Sequence, residues 1–294
     1  MLTIRTDLAV EAHALWRENA KNTTDLPGVR AREETVRGYG VHRVEILDKE
    51  GERALGKPTG TYLTLDTSPL RRGDSDGFAR AVSAVAKLLR PLLPPEETVL
   101  VCGIGNRAMT PDALGPLTLE HLLITRHLGA VLPDFRPVAA IGAGVLGTTG
   151  IEVAEWVRGA AQRVKPSAVV LVDALAARSP DRLCTTVQIS DSGLVPGSGV
   201  GNHRMALSQE TLGVPLISVG IPTVVDAATL AADLVTASGG SVDRAKLRGN
   251  GKNLFVTPDS IDAKVRDGAK LIGYGIDLAL QPDLELEDLA ALLE

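Results

Sequence analysis

The sequence predicts an α/β fold, a largely parallel sheet flanked by helices on both faces. Two short runs, Val99–Ile104 and residues 168–172, are continuously apolar, which is typical of strands buried on both faces. Helical patterns alternate with these strands; Val153, Trp156 and Val157, for example, fall on one face of a helix. Strands that alternate with helices form right-handed βαβ units and so produce a parallel sheet covered on both sides.

The elements follow in chain order. Residues 41–47 and 61–65 are predicted to be antiparallel strands and residues 78–93 a helix, and these form an N-terminal embellishment of the same domain. After the strand Val99–Ile104, a capping threonine, a proline and an acid predict a helix over residues 110–127. Further strands are predicted at residues 138–141, 168–173, 183–189 and 216–219, and further helices at residues 226–236 and 260–279.

Length and composition indicate a single α/β domain over residues 1–294. Residues 237–253 are rich in Gly, Ser, Lys and Arg, which predicts a flexible surface insertion. The formal charge of -5 gives no reason to expect nucleic-acid binding, and no apolar run is long enough to span a membrane. Two cysteines far apart in apolar runs indicate free thiols in a reducing, cytoplasmic compartment.

Two acids are predicted beyond the carboxyl ends of parallel strands, where sites form in such sheets. Asp112 follows the strand Val99–Ile104, and Asp173 ends the apolar run of residues 168–172. Either acid alone is often a helix or strand cap. On the same edge of one sheet, however, two carboxyl groups separate their pKa values, so that one activates water and the other protonates an amide leaving group. The sequence therefore predicts an aspartate pair.

Glycine-rich turns suggest a nucleotide site instead. Gly103-Ile104-Gly105-Asn106 lacks the third glycine of the dinucleotide fingerprint. Residues 142–147 have the G-x-G-x-x-G spacing after a predicted strand, but Thr148, Thr149 and Gly150 extend that loop. We therefore expect no cofactor.

A metal site and a serine nucleophile would each imply a different chemistry. His203 could join Asp112 and Asp173 as a metal ligand, although a lone loop histidine is more often a polar surface residue. The polar loop at residues 190–201 contains several serines, but no G-x-S-x-G elbow, so a serine nucleophile is not expected.

The chain resembles the spore germination protease family over nearly its whole length, from residue 4 to the helix predicted after Leu254-Phe255-Val256-Thr257-Pro258. The most specific likeness runs from Arg178-Ser179-Pro180 through Gly201-Asn202-His203-Arg204 to Gly220-Ile221-Pro222-Thr223-Val224-Val225-Asp226. Further matches are Ile4-Arg5-Thr6-Asp7-Leu8-Ala9-Val10-Glu11, Gly56-Lys57-Pro58-Thr59-Gly60-Thr61-Tyr62, Gly103-Ile104-Gly105-Asn106, Thr110-Pro111-Asp112-Ala113-Leu114-Gly115-Pro116 and Asp173-Ala174-Leu175.

The resemblance implies an atypical aspartic endopeptidase of the forespore and spore core that degrades small acid-soluble spore proteins during germination. It implies a self-processing zymogen and a homotetramer, with Asp112 and Asp173 as the catalytic pair. In the family, the substrate cleavage site has the order acid, apolar residue, alanine, acid. The order Asp7, Leu8, Ala9, Glu11 is similar and predicts a cut between Asp7 and Leu8, with residues 1–7 as propeptide.

The fold is also similar to that of the hydrogenase-maturation endopeptidases, which use a metal. This likeness supplies the rival hypothesis of a metal-dependent processing peptidase with Asp112, Asp173 and His203 as ligands. A binding protein without catalytic activity is a rival from another class, and the presence of both aspartates argues against it.

Overall fold

The computed structural model describes residues 6–19, 26–95, 97–200, 204–242 and 253–293, and within them nine strands form one mixed sheet. The strand order is β1-β2-β3-β7-β8-β6-β4-β5, and β9 pairs with β8. The strands are β1 (Val29–Val36), β2 (Tyr39–Ile46), β3 (Gly60–Asp66), β4 (Val99–Ile104), β5 (Val138–Gly144), β6 (Ala168–Ala177), β7 (Thr186–Ser190), β8 (Leu216–Asp226) and β9 (Phe255–Val256).

Strands β5, β4, β6 and β8 are parallel to one another and carry the continuous apolar runs of the sequence. Every residue of β4 is buried, because helices cover both faces of the sheet at this point. Val101 and Val170 face one helical layer, and Leu100 and Val169 face the other. The predicted α/β class, with a largely parallel central sheet flanked by helices, is confirmed.

The N-terminal embellishment extends this sheet. Strands β1, β2 and β3 form an antiparallel meander, and β3 pairs antiparallel with β7, which itself pairs antiparallel with β8. The two predicted strands of this region therefore correspond to β2 and β3. Because β7 lies between β3 and β8, residues of the embellishment come within reach of the parallel strands.

Ten helices lie in the described part of the chain. The longest, α3 and α9, pack against each other on one face of the sheet, and α6 covers the other face. The helices are α1 (Ala9–Asn19), α2 (Lys49–Leu55), α3 (Ser75–Leu89), α4 (Leu114–Thr118), α5 (Leu146–Thr149), α6 (Val153–Val164), α7 (Gln209–Leu212), α8 (Ala227–Ala237), α9 (Ile261–Leu280) and α10 (Leu286–Leu293).

Several elements differ from their predicted extents: the strand predicted at residues 183–189 is β7 (Thr186–Ser190), and the strand predicted at residues 216–219 is β8, which runs to Asp226. The elements that carry the two predicted aspartates differ as well. The helix predicted over residues 110–127 is a 3₁₀ turn, Thr110–Asp112, followed by the five-residue helix α4. Gly115 packs against the backbone of β4 and β6 so closely that a Cβ would collide with the carbonyls of Ile104 and Val172, which fixes this segment onto the sheet. Strand β6 continues past Asp173 to Ala177, because β8 extends equally far beside it.

The predicted surface insertion at residues 237–253 follows the end of α8, and residues 243–252 of it lie outside the described residues. No helix in the ranges that the structure describes combines the length and the apolar composition needed to cross a membrane.

Candidate functional site

Asp112 is held by the turn that follows β4. Strand β4 ends at Ile104, and Gly105 turns the chain with a φ of 126°. The Asn106 N–H donates to Asp112 Oδ2 at 2.7 Å, and the Thr223 hydroxyl donates to the Pro111 carbonyl at 2.7 Å. Burial raises the pKa of the half-buried Asp112 carboxyl, and the Asn106 hydrogen bond lowers it in part.

Asp173 lies inside β6, opposite Gly220 of β8, and is 5% exposed. The Ala174 N–H donates to its Oδ1 at 2.9 Å. Burial raises the pKa of Asp173 well above its ordinary value, and the charges of Asp112 and then Asp7 raise it further. The structure thus brings the two predicted aspartates together, close enough for one carboxyl to affect the titration of the other.

The two aspartates line a cavity of about 340 Å³. Asp7 from the N-terminal part of the chain lines the same cavity, as do apolar side chains that include Ile104 and Val145. A larger, more open groove of about 1220 Å³ adjoins it and is also lined by Asp7 and Asp173. The arrangement offers an extended binding surface that leads to the carboxyl pair.

Asp7 enters this site from residues 6–11, which we call the N-terminal segment. The Asp7 N–H donates to the Ala176 carbonyl at 2.8 Å, and the Ala176 N–H donates to Asp7 Oδ2 at 2.8 Å, so this residue pairs with β6. The Ser198 hydroxyl donates to Asp7 Oδ1 at 2.9 Å. Gly199 packs so closely against this carboxylate that a Cβ would collide with it.

The Asp7 carbonyl oxygen has two side-chain donors. Lys57 Nζ and Gln188 Nε2 each donate to it at 2.9 Å. Further along the N-terminal segment, the Glu11 carboxylate accepts from the Arg178 N–H at 2.7 Å and the Ser179 N–H at 2.9 Å. Contacts on both sides of the Asp7–Leu8 bond therefore fix its position next to the groove and the cavity that Asp7 lines.

Sequence reasoning did not find Lys57, Gln188 or Ser198 as site residues. A signal exists for Gln188, because it is a polar side chain in the apolar run predicted as a strand at residues 183–189. Lys57 lies in one of the family-like motifs, between Gly56 and a proline, in a loop where a charged residue is unremarkable. Only the strand order brings these two side chains together.

The metal and nucleotide sites suggested by the sequence involve His203 and the glycine-rich turn after β5. His203, the third predicted metal ligand, lies outside the described residues. Across the parts of the chain that are described, no three His, Cys, Asp or Glu side chains are grouped so as to hold a metal ion. The glycine-rich residues 142–147 lie at the end of β5, the edge strand, and two of them, Val145 and Leu146, line the cavity of the aspartates.

Sequence comparison identifies the family. A profile described as "Germination protease" matches residues 9–238. This chain belongs to the germination protease family. The germination protease of Caldanaerobacter subterraneus subsp. tengcongensis is 42% identical, over 100% of this chain and 99% of that protein. The germination protease of Clostridium tetani is 40% identical, over 99% of this chain and 100% of that protein.

Membership in the germination protease family makes the chain a peptidase and confirms the resemblance found in its sequence. Among solved structures, the [NiFe] hydrogenase maturation protease HycI from Thermococcus kodakarensis is similar with a TM-score of 0.37 and 20% identity. The similarity covers 64% of this chain and 98% of the HycI chain.

Proposed function

We propose that this germination protease is a self-processing endopeptidase in which Asp112 and Asp173 form the catalytic pair and Asp7–Leu8 is the bond first cut. Its substrates are small acid-soluble spore proteins, as the family resemblance implies, and its place of action is the forespore and spore core. From the same resemblance we expect a homotetramer without direct nucleic-acid contact.

Different environments support different roles for the two carboxyl groups. Asp173 is the more buried and faces two other carboxyl groups, so it retains its proton to higher pH and serves as the general acid. Asp112 is half-buried and accepts the Asn106 N–H, so it ionises first and serves as the general base.

In the proposed reaction, Asp112 takes a proton from water as the water oxygen attacks the Asp7 carbonyl carbon. The carbonyl oxygen becomes negatively charged in the tetrahedral intermediate. Asp173 then gives its proton to the Leu8 nitrogen, and the carbon–nitrogen bond breaks. The products are a carboxyl group on Asp7 and a free amine on Leu8. At the end of the reaction Asp112 carries the proton and Asp173 is ionised.

The docked N-terminal segment carries this proposal. Its side chains follow the order acid, apolar residue, alanine, acid of the family's cleavage site. The first acid, Asp7, is bound by Ala176 and Ser198. Leu8 is fully buried against an apolar cluster, Ala9 is fully buried, and Glu11 is bound by the backbone of residues 178 and 179.

A segment bound in this way also closes the groove to other substrates, which supports the zymogen assignment. The carboxylate, the apolar side chain and the second carboxylate fill positions that a spore-protein substrate would need. We therefore expect that a substrate in trans is cut only after residues 1–7 have left.

The test is mass spectrometry of the purified full chain, incubated at mildly acidic pH with and without a chelator and a small acid-soluble spore protein. We expect a new terminus at Leu8 followed by cleavage of the substrate. Asp112→Asn and Asp173→Asn should fold but lose at least about 1000-fold in rate, because each removes one of the two proton-transfer roles.

Circular dichroism and thermal unfolding of both variants provide the folding control. Self-cleavage by either folded variant at the wild-type rate would refute the catalytic pair. Loss of activity with the chelator, restored by added metal, would instead support a metal-dependent processing peptidase.

A further inference from the structure

We propose that Lys57 and Gln188 form the oxyanion-binding site of this peptidase and act as catalytic residues. The proposal rests on the function proposed above, in which Asp7–Leu8 is a scissile bond. Lys57 Nζ and Gln188 Nε2 both lie 2.9 Å from the Asp7 carbonyl oxygen, the oxygen that gains charge when water attacks the carbonyl carbon.

Gln188 is held in one orientation. It lies on β7, is 7% exposed, and uses both ends of its amide on the N-terminal segment. While Nε2 donates to the Asp7 carbonyl, Oε1 accepts the Ala9 N–H at 2.8 Å. The two bonds fix which end of the amide faces the carbonyl, so the N–H donor is preorganised and does not have to reorient as charge develops.

Lys57 approaches the same oxygen from another element. It lies in the loop between α2 and β3, directly after Gly56, which ends α2 in the left-handed conformation. Its Nζ also donates to the Thr6 carbonyl at 3.3 Å. Burial lowers the pKa of Lys57, and the carboxylates of Asp7 and Glu11 act in the opposite direction by favouring its charged form.

The proposed general acid and the two donors share one groove. Asp173, Lys57 and Gln188 line the same groove, and Asp7 lines both this groove and the cavity that contains Asp112. A carbonyl polarised by an amide and an ammonium group is a better target for a water molecule activated by a carboxylate. Removing one donor from an oxyanion site typically slows the chemical step by about 100- to 1000-fold.

Simple anchoring of the N-terminal segment is the competing role for these two residues. Other contacts already dock the segment: Asp7 forms two hydrogen bonds with Ala176, and Glu11 binds two backbone N–H groups. Loss of one donor to the Asp7 carbonyl should therefore leave the segment bound. Binding and rate can be separated experimentally.

The experiment measures the first-order rate of Asp7–Leu8 cleavage in the full chain by mass spectrometry. The variants are Lys57→Met, which removes the charge at similar length, and Gln188→Glu, which removes the donor and keeps an acceptor for the Ala9 N–H. Lys87→Met is the control, because Lys87 is exposed on α3 and does not line this groove. Docking of the N-terminal segment is measured by hydrogen exchange of residues 6–11. For this measurement each variant also carries Asp173→Asn, so that the chain stays intact.

We expect Lys57→Met and Gln188→Glu each to slow cleavage by about 100-fold or more while exchange in residues 6–11 stays within about threefold of the parent. Lys87→Met should cleave at the wild-type rate. Cleavage by both test variants within a few-fold of wild type would overturn the proposal. Slow cleavage accompanied by loss of exchange protection in residues 6–11 would also overturn it, because Lys57 and Gln188 would then only anchor the N-terminal segment.

Failure of the underlying function gives a different pattern. A wild-type chain that leaves the Asp7–Leu8 bond intact would overturn both proposals. This outcome is observed without any substitution at Lys57 or Gln188. An Asp173→Asn chain that cuts at the wild-type rate would refute the catalytic pair only. The comparison of Lys57→Met with Lys87→Met would then still decide the oxyanion site.

Discussion

The surroundings of Asp112 and Asp173 separate the pKa values of the two carboxyl groups. Asp173 combines near-complete burial with two neighbouring carboxylates, and both effects disfavour its charged form. Burial also raises the pKa of the less buried Asp112, but the backbone N–H that this carboxyl group accepts lowers it in part. The pair therefore holds one proton over a range of pH between its two ionisations, and this singly protonated state is the one that the proposed reaction uses.

The rate of self-cleavage should show a bell-shaped dependence on pH. The rate rises as Asp112 ionises and falls as pH passes through the raised pKa of Asp173, because the general acid is then lost. Asp7→Asn removes a charge that raises the pKa of Asp173. The alkaline limb of the pH–rate profile of this variant should therefore lie at lower pH than that of wild type. The measurement is the first-order rate of Asp7–Leu8 cleavage at half-unit steps of pH.

Lys57→Arg is the control for this profile, because an arginine stays charged throughout the range. If Lys57 produced the alkaline limb, that limb would vanish in Lys57→Arg; we expect it to remain. An alkaline limb at the same pH in Asp7→Asn as in wild type would contradict the coupling of Asp7 to Asp173.

At the scale of elements, the turn between β4 and α4 sets the position of Asp112. The sequence correctly predicts the strand and an acid after it, but it predicts that acid in the first turn of a long helix. The chain instead forms a 3₁₀ turn and a short helix, because Gly105 and Gly115 let the backbone lie directly on neighbouring carbonyls. A contact of this kind depends on tertiary packing, which local capping patterns do not contain.

Gly105→Ala should therefore damage both stability and catalysis. Its φ of 126° is strained for any residue with a side chain, and the added Cβ would collide with the Asp112 carbonyl oxygen. We expect a loss of about 1–3 kcal/mol in the free energy of unfolding. Displacement of Asp112 should slow cleavage by about 100-fold.

Gly129→Ala is the matched control for Gly105→Ala. Gly129 has a φ of -55°, lies on the surface, and has open space where a Cβ would be added. Urea unfolding and the self-cleavage rate measure both variants. Equal stability and equal rates for the two alanine variants would show that the turn does not constrain Asp112.

The whole molecule brings together residues that lie far apart in the chain. The sequence predicts most strands, and its family-like motifs contain Asp7, Lys57 and Asp173, but periodicity does not determine the order of strands in a sheet. Gln188 meets the Asp7 carbonyl across 181 positions of sequence, and Lys57 reaches it across 50. Both contacts depend on β7 lying between β3 and β8, an order that no local pattern predicts.

A further buried acid, Asp277, links the stability of the whole fold to pH. Asp277 lies on α9, fully buried between the sheet and the segment that follows α4, and it accepts the Leu123 N–H at 3.0 Å. Burial raises its pKa from 3.8 to about 8. Between these values the folded chain keeps a proton that the unfolded chain has lost, so rising pH favours unfolding.

Asp277→Asn should flatten this dependence, because an amide does not titrate. For each unit by which pH rises between about 4 and 8, the free energy of unfolding of wild type should fall by about 1.4 kcal/mol relative to that of Asp277→Asn. From pH 5 to pH 7 the difference between the two proteins should thus change by about 2–3 kcal/mol in favour of the variant. Urea unfolding at pH 5, 6 and 7 measures it, with the exposed Asp283→Asn as the matched control. Parallel stability curves for wild type and Asp277→Asn would contradict a buried proton on Asp277, whereas a change shared with Asp283→Asn would trace the effect to net charge.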